Sequence, residues 1–176
     1  MERVSIPVER LRVPGVPEWE KQWLLLAAGD FLQRDYNCMT VGWGGFGVMW
    51  GKPVAMVVVR PTRYTMSFME RFDSFTLSAF PEDCRKALSY CGSHSGREGD
   101  KAKTAGLTAI ASRAVRSPGF EQAELIIECR TIYSDDLDHT RFKDPHIEGN
   151  YPNKDYHRVY FGEILAVEGT AAWQRG

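Results

Sequence analysis

The sequence predicts a mainly β domain, closed as a barrel or sandwich and carrying few helices. Three observations lead there. Short runs rich in β-branched and aromatic residues recur along the chain, bounded by Gly, Pro and Asp turn signals. Only the stretch after Pro81 repeats its apolar residues at helical spacing. No strand–helix–strand alternation runs through the chain, which argues against a parallel α/β sheet.

The elements follow in order. Residues 1–18 carry Pro7, Pro14 and Pro17 and read as an extended N-terminal arm. Gln22 to Ala28 is an apolar run stopped by the turn signal Gly29-Asp30, and its length favours a buried strand. Asn37 to Trp43 is extended and enters the glycine run Gly44-Gly45-Phe46-Gly47, read as a tight hairpin. Pro53 to Arg60 is the most strongly β-branched segment. Ser74 to Phe80 alternates, with Phe75, Leu77 and Ala79 on one face and Thr76 and Ser78 on the other. Pro81-Glu82-Asp83 opens a helix whose Cys84, Ala87, Leu88 and Cys91 share a face, and Gly92 stops it. Gln122 to Ile132 and His157 to Val167 read as two further strands, and the polar stretch 134–153 between them as loop.

Composition narrows the partners. The chain has 176 residues, 43% hydrophobic and 26% charged, so one globular domain over 1–176 is expected. A net charge of −1 argues against a nucleic-acid partner, which needs a marked basic excess. No apolar run approaches the ~20 residues of a membrane span, and the start lacks the apolar core of a secretory signal. The four cysteines show no CxxC pair and read as buried free thiols, which implies the cytoplasm.

Several constellations bear on chemistry. Gly42 to Gly47 matches GxGxxG, but Val48 to Pro53 cannot supply the helix that a dinucleotide-binding βαβ unit needs. His94, His139, His146 and His157 lack metal-ligand spacing, and no nucleophile signature is present, so neither a metal site nor a catalytic side chain is assigned. The loop Gly92 to Lys101 is more informative. Its small residues let backbone N–H groups approach a ligand, with hydroxyls from Ser93 and Ser95 and positive charge from Arg97 and Lys101. Arg60 to Thr65 adds two arginines and two threonines at a strand end, suited either to a phosphate or to a salt-bridged terminus.

Five blocks, NCMTVGWG at 37–44, WGKPVAMVVVRPTRYT at 50–65, DSFTLSAF at 73–80, GSHSGREGDK at 92–101 and DYHRVYFGEI at 155–164, together resemble the flavin reductase-like family. The resemblance spans residues 20 to 168. It implies a split barrel that forms a homodimer and holds FMN. By motif it places Asn37, Met39 and Thr40 on the flavin, and Arg60, Arg63 and Thr65 near its phosphate and ribityl chain. Ser78, Ala79 and Phe80 would line the ring. Ser93, Ser95, Gly96, Arg97 and Lys101 would close over the polar end, and His157 would make a polar contact to the site or the partner subunit. His94 departs from the small or lysine-like residue expected in that loop. The implied activity is hydride transfer from NAD(P)H to the flavin and on to an unidentified acceptor. The alternatives are an electron carrier without pyridine-nucleotide activity and a ligand-binding module without turnover.

Overall fold

The computed structural model describes residues 2–175. Its strands are β1 (Val4–Ser5), β2 (Leu24–Asp30), β3 (Asp35–Val41), β4 (Gly44–Met49), β5 (Lys52–Val59), β6 (Ser74–Ala79), β7 (Ala109–Ile110), β8 (Gly119–Phe120), β9 (Leu125–Asp136) and β10 (Arg158–Gly169). An eight-stranded antiparallel sheet runs in the order β3-β2-β6-β9-β10-β5-β4, with β1 paired to β10. The helices α1 (Tyr64–Arg71), α2 (Arg85–Ser93) and α3 (Lys101–Thr104) lie between the strands. The protein is therefore mainly β.

Strand β2 shows why its sequence is apolar throughout. Leu24, Leu26 and Ala28 point into the main core with Phe75, Leu77, Val57 and Ile127. The alternate residues Leu25 and Ala27 pack on the opposite face beneath Leu88, Cys91 and Phe120. A strand covered on both sides loses the polar half of its alternation. Strand β6 is likewise buried along its whole length, so Thr76 and Ser78 face a second core rather than solvent.

Glycine decides two local features. A β-carbon on Gly162 would stand 2.5 Å from the Phe75 ring, so β10 crosses β9 there only without a side chain. The β4–β5 hairpin turns at Trp50-Gly51, whose φ values of 51° and 70° match a two-residue turn with both central residues left-handed.

Four sequence expectations change. The glycines at 44, 45 and 47 lie within β4, and the reversal falls after them. The N-terminal segment is docked: Val4 pairs with Gly169, Ile6 and Leu11 are buried, and Glu18–Gln22 forms a π-helical turn. Strand β9 runs on to Asp136, shortening the loop that follows. A second substantial helix, α1, follows Arg63; Phe68 and Met69 on its inner face fill the main core.

Among the described residues, no helix is long and apolar enough to cross a membrane. The four cysteines are free thiols; Cys38, Cys91 and Cys129 are buried, and Cys84 is half-buried.

Candidate flavin-binding site

The 92–97 segment is pressed onto β3 by two glycines. A β-carbon on Gly92 would stand 2.1 Å from Thr40 Oγ1, and one on Gly96 equally close to Asn37 Oδ1. Strand and loop thus meet with no side chain between them, which is the use glycine has where backbone must approach closely. Helix α1 locks the same corner. Thr65, buried in its first turn, accepts from Asn37 Nδ2 at 2.8 Å and donates to the Cys38 carbonyl at 3.3 Å.

Lys101 closes the loop from below. Its buried ammonium donates to the carbonyls of Cys91, at 2.8 Å, and His94, at 3.0 Å, beside the C-terminus of α2 where a cation is favoured. Burial lowers its pKa, and nearby Arg63 adds to that, while the Cys38 and Cys91 thiols oppose it.

Two small clefts meet above this platform and share Met39 and Arg63. One, of about 150 Å³, is bounded by Arg63, Thr65, Ser93, Ser95, Gly96 and Arg97, with Lys101 at its base. The Arg63 guanidinium donates to the Gly92 carbonyl at 2.7 Å, and that of Arg97 lies 4.8 Å from the centre of the Tyr64 ring. Arg63, Arg97 and Lys101 have no carboxylate partner among the described residues, so their charge is available to an anion. Ser95 Oγ accepts from the Arg97 backbone N–H at 3.2 Å. Ser93 instead turns back onto helix α2, donating to Ser89 O at 2.9 Å.

The other cleft, of about 200 Å³, is walled by Met39, Thr40, Trp43, Val58, Arg60 and His157. Arg60 is committed here: Nη1 lies 2.9 Å from both Asp155 carboxylate oxygens and Nη2 donates to Asn150 O at 2.8 Å. Of the two sequence readings of Arg60, the salt-bridged strand end describes its geometry. His157 is buried, its Nδ1 2.9 Å from the Tyr151 hydroxyl and its ring 5.0 Å from that of Trp43. Burial first, then the Arg60 charge, lowers its pKa to about 4, so the ring is neutral near pH 7.

The structure therefore gathers Met39, Thr40, Arg60, Arg63, Thr65, Ser93, Ser95, Gly96, Arg97, Lys101 and His157 around one groove, with Asn37 in its supporting wall. It does not bring Ser78, Ala79 and Phe80 there. Ala79 belongs to the main core, Phe80 packs on Phe120 in the second, and Ser78 is fully buried opposite Leu25. Sequence reasoning missed Tyr64, Trp43 and Tyr151. Trp43 sat unremarked in the glycine run; Tyr151 lies in a polar stretch with no local signal. His94, which departs from the expected loop pattern, borders the smaller cleft and stacks on Tyr90 at 3.8 Å, its Nδ1 3.2 Å from the Tyr90 carbonyl and 3.0 Å from Ser93 Oγ.

A sheet of this order with a cationic, hydroxyl-lined groove at its edge is the architecture of a flavin-binding split barrel. The flavin reductase like domain model matches residues 24–173, and the chain belongs to that family. Solved structures agree on the fold. Flavoredoxin of Desulfovibrio vulgaris (Miyazaki F) superposes with a TM-score of 0.66 at 23% identity, covering 85% of this chain and 70% of that one. The FMN-binding domain of a flavin reductases-like enzyme from Shewanella baltica gives 0.69 at 15% identity, covering 96% and 77%. An NADH:FAD oxidoreductase of Streptomyces globisporus gives 0.64 at 14% identity, covering 86% and 76%. No curated protein matches the chain.

Proposed function

We propose that the chain acts as one flavin-binding domain, holds FMN noncovalently and works as a flavin reductase-type oxidoreductase that draws electrons from NAD(P)H. One observation carries the reading. Three cations without carboxylate partners among the described residues, Arg63, Arg97 and Lys101, converge with Ser95 and Thr65 on a cleft of phosphate size. A second cleft with apolar and aromatic walls adjoins it through shared residues. This donor set fits a group with an anionic end and a flat apolar body.

In this reading Arg63, Ser95, Gly96 and Arg97 bind the phosphate, with Lys101 supplying charge from below. Met39, Thr40 and Trp43 wall the ring. Neutral His157 offers hydrogen bonding without adding charge beside the flavin. When bound, the flavin supplies the two-electron chemistry, accepting a hydride from a reduced pyridine nucleotide and delivering electrons to an acceptor. The protein's part is to bind, orient and exclude water, and no side chain is assigned an acid–base role.

A homodimer is part of the proposal. Its support is an exposed cluster in which Trp50 lies 6.0 Å from Tyr133 and 6.2 Å from Phe161, beside the open edge of β4. Free thiols support a reducing cytoplasm. The absorbance spectrum of the purified protein tests the cofactor: a flavin band that travels with it, or one acquired on titration with FMN, is expected. Stopped-flow mixing with NADH or NADPH tests the activity. Bleaching of the flavin band supports a reductase; no bleaching, with ready reduction by a donor protein, assigns an electron carrier.

A further inference from the structure

Beneath the anion cleft, two of the four free thiols meet. Cys38 on β3 and Cys91 in the last turn of α2 belong to one buried cluster. The helix reaches the strand this closely because Gly92, the next residue, has no side chain to stand off Thr40. Cys38 and Thr40 share a face of β3, so the seam that sets Gly92 on Thr40 also sets Cys91 on Cys38. The two thiols are close enough to share a hydrogen bond, which raises the pKa of Cys38 and lowers that of Cys91.

Their surroundings differ from those of a core cysteine. At Cys129, burial and then the Glu128 carboxylate push the thiol up. Cys91 is fully buried too, yet the hydrogen bond from Cys38 and the Lys101 ammonium hold its pKa down against burial and Asp100. Lys101 is fixed there: its Nζ donates to the Cys91 carbonyl at 2.8 Å, and Cys91 Sγ lies 3.9 Å from the Lys101 carbonyl. A thiol held low beside a cation is the reactive kind. Cys38 in turn borders a cleft of about 730 Å³ between the β2–β3 turn, α1 and α3, ample for a molecule as small as hydrogen peroxide.

We propose that Cys38 and Cys91 form a redox pair that a small hydroperoxide closes into a disulfide, and that this bond weakens flavin binding by shifting the loop above it. The Cys38 sulfur attacks one peroxide oxygen while its proton passes to the Cys91 thiolate; the O–O bond breaks and hydroxide leaves. That hydroxide takes the proton from Cys91 and departs as water. The Cys91 thiolate then attacks the Cys38 sulfenic sulfur, forming the S–S bond and releasing a second hydroxide, which solvent protonates. The two thiols lose two electrons and one peroxide becomes two waters.

Closing the bond draws the end of α2 towards β3, where Gly92 already abuts Thr40 and cannot advance. The helix end turns instead, carrying the Cys91 carbonyl that holds Lys101 and the Gly92 carbonyl that holds Arg63. Two of the three cations around the anion cleft then move together. This effect on binding rests on the flavin reading; the bond itself does not.

The test treats the reduced full chain with hydrogen peroxide, blocks the remaining thiols with iodoacetamide in denaturant and reads the digest by mass spectrometry. A peptide linking Cys38 to Cys91 is expected, with Cys84 and Cys129 alkylated and the link undone by dithiothreitol. FMN affinity is expected to fall about tenfold on oxidation and to return on reduction. Cys38→Ala and Cys91→Ala are each expected to bind FMN alike before and after peroxide. The wild-type digest needs no variant, so it decides the bond even where a variant fails to fold. Four alkylated thiols after peroxide, or Cys38 taken to the sulfinic acid without a link, overturn the pair. A linked protein that binds FMN as the reduced one does overturns the switch, and so does a loss of affinity that persists in both alanine variants. Failure of the reduced protein to bind FMN marks the failure of the flavin reading, and the linked peptide then stands or falls alone.

Discussion

Gly96 crosses Asn37 so closely that a β-carbon on the glycine would fall 2.1 Å from the asparagine Oδ1. The same asparagine donates its Nδ2 to Thr65 at 2.8 Å. Loop, strand and helix are thus joined at one buried amide, and the position of the Ser95 and Arg97 backbone depends on it.

Gly96→Ala is therefore expected to lift the loop off β3, because the obstructing atoms belong to a buried, hydrogen-bonded side chain that has little room to yield. Overpacking of this kind costs about 1–3 kcal/mol of stability. FMN affinity is expected to fall about tenfold or more, since the donors proposed for its phosphate move together. Thermal unfolding and a flavin titration on the same preparation check both effects.

The two arginine positions separate by their partners. Arg63→Ala and Arg97→Ala each remove a cation that no carboxylate among the described residues balances and are expected to weaken FMN binding by about 1–3 kcal/mol. Arg60→Ala removes a cation already satisfied by Asp155 and the Asn150 carbonyl. Its expected effect is a loosened 150–157 segment, seen as faster amide exchange there, with a smaller change in FMN affinity. Comparable losses of affinity in all three variants would contradict this division.

Much of the barrel was legible in the sequence because its strands are covered on both faces or alternate cleanly. The apolar run at Leu24 and the β-branched run at Val54 needed only local rules. Helix α1 was not legible: its residues 64–71 include Tyr, Thr, Ser and Phe, middling helix formers, and what holds it is Phe68 and Met69 docking in a core built by distant strands. The groove was legible as a set of residue types, but their states were not. Arg60 is neutralised by a partner 95 positions away, and Tyr151 orients His157 from a stretch without periodicity. Ser78, Ala79 and Phe80 matched a motif, yet β6 is buried on both faces, with Ala79 in the main core and Phe80 in the second, which takes them away from the groove.

Lys101 supports the loop by hydrogen bonds as much as by charge. Lys101→Met keeps the stem volume and removes the donors to the Cys91 and His94 carbonyls. Leaving those carbonyls unanswered is expected to cost about 1–3 kcal/mol. FMN affinity is expected to drop as well, because the one buried lysine or arginine among the described residues, beneath the cleft, is gone. Chemical denaturation and flavin titration measure the two losses separately.

His157 ties stability to pH. Burial and the Arg60 charge hold its pKa near 4 in the folded protein, against about 6.5 for an unfolded histidine. Between these values the unfolded chain binds the proton and the folded one resists it, so stability is undiminished above about pH 6.5 and declines as pH falls towards 4. Asp155 works against the shift, while Arg60 and the more distant Arg63 reinforce it; Tyr151, which faces the ring, stays neutral throughout this window. The decline attributable to this one ring is on the order of 2 kcal/mol. Denaturant midpoints of the wild-type protein and of His157→Gln across that window measure it: the variant keeps a polar group beside Tyr151 but cannot titrate, so its stability is expected to fall less steeply on acidification. Parallel slopes in the two proteins would show that the imidazole already accepts a proton in the folded state.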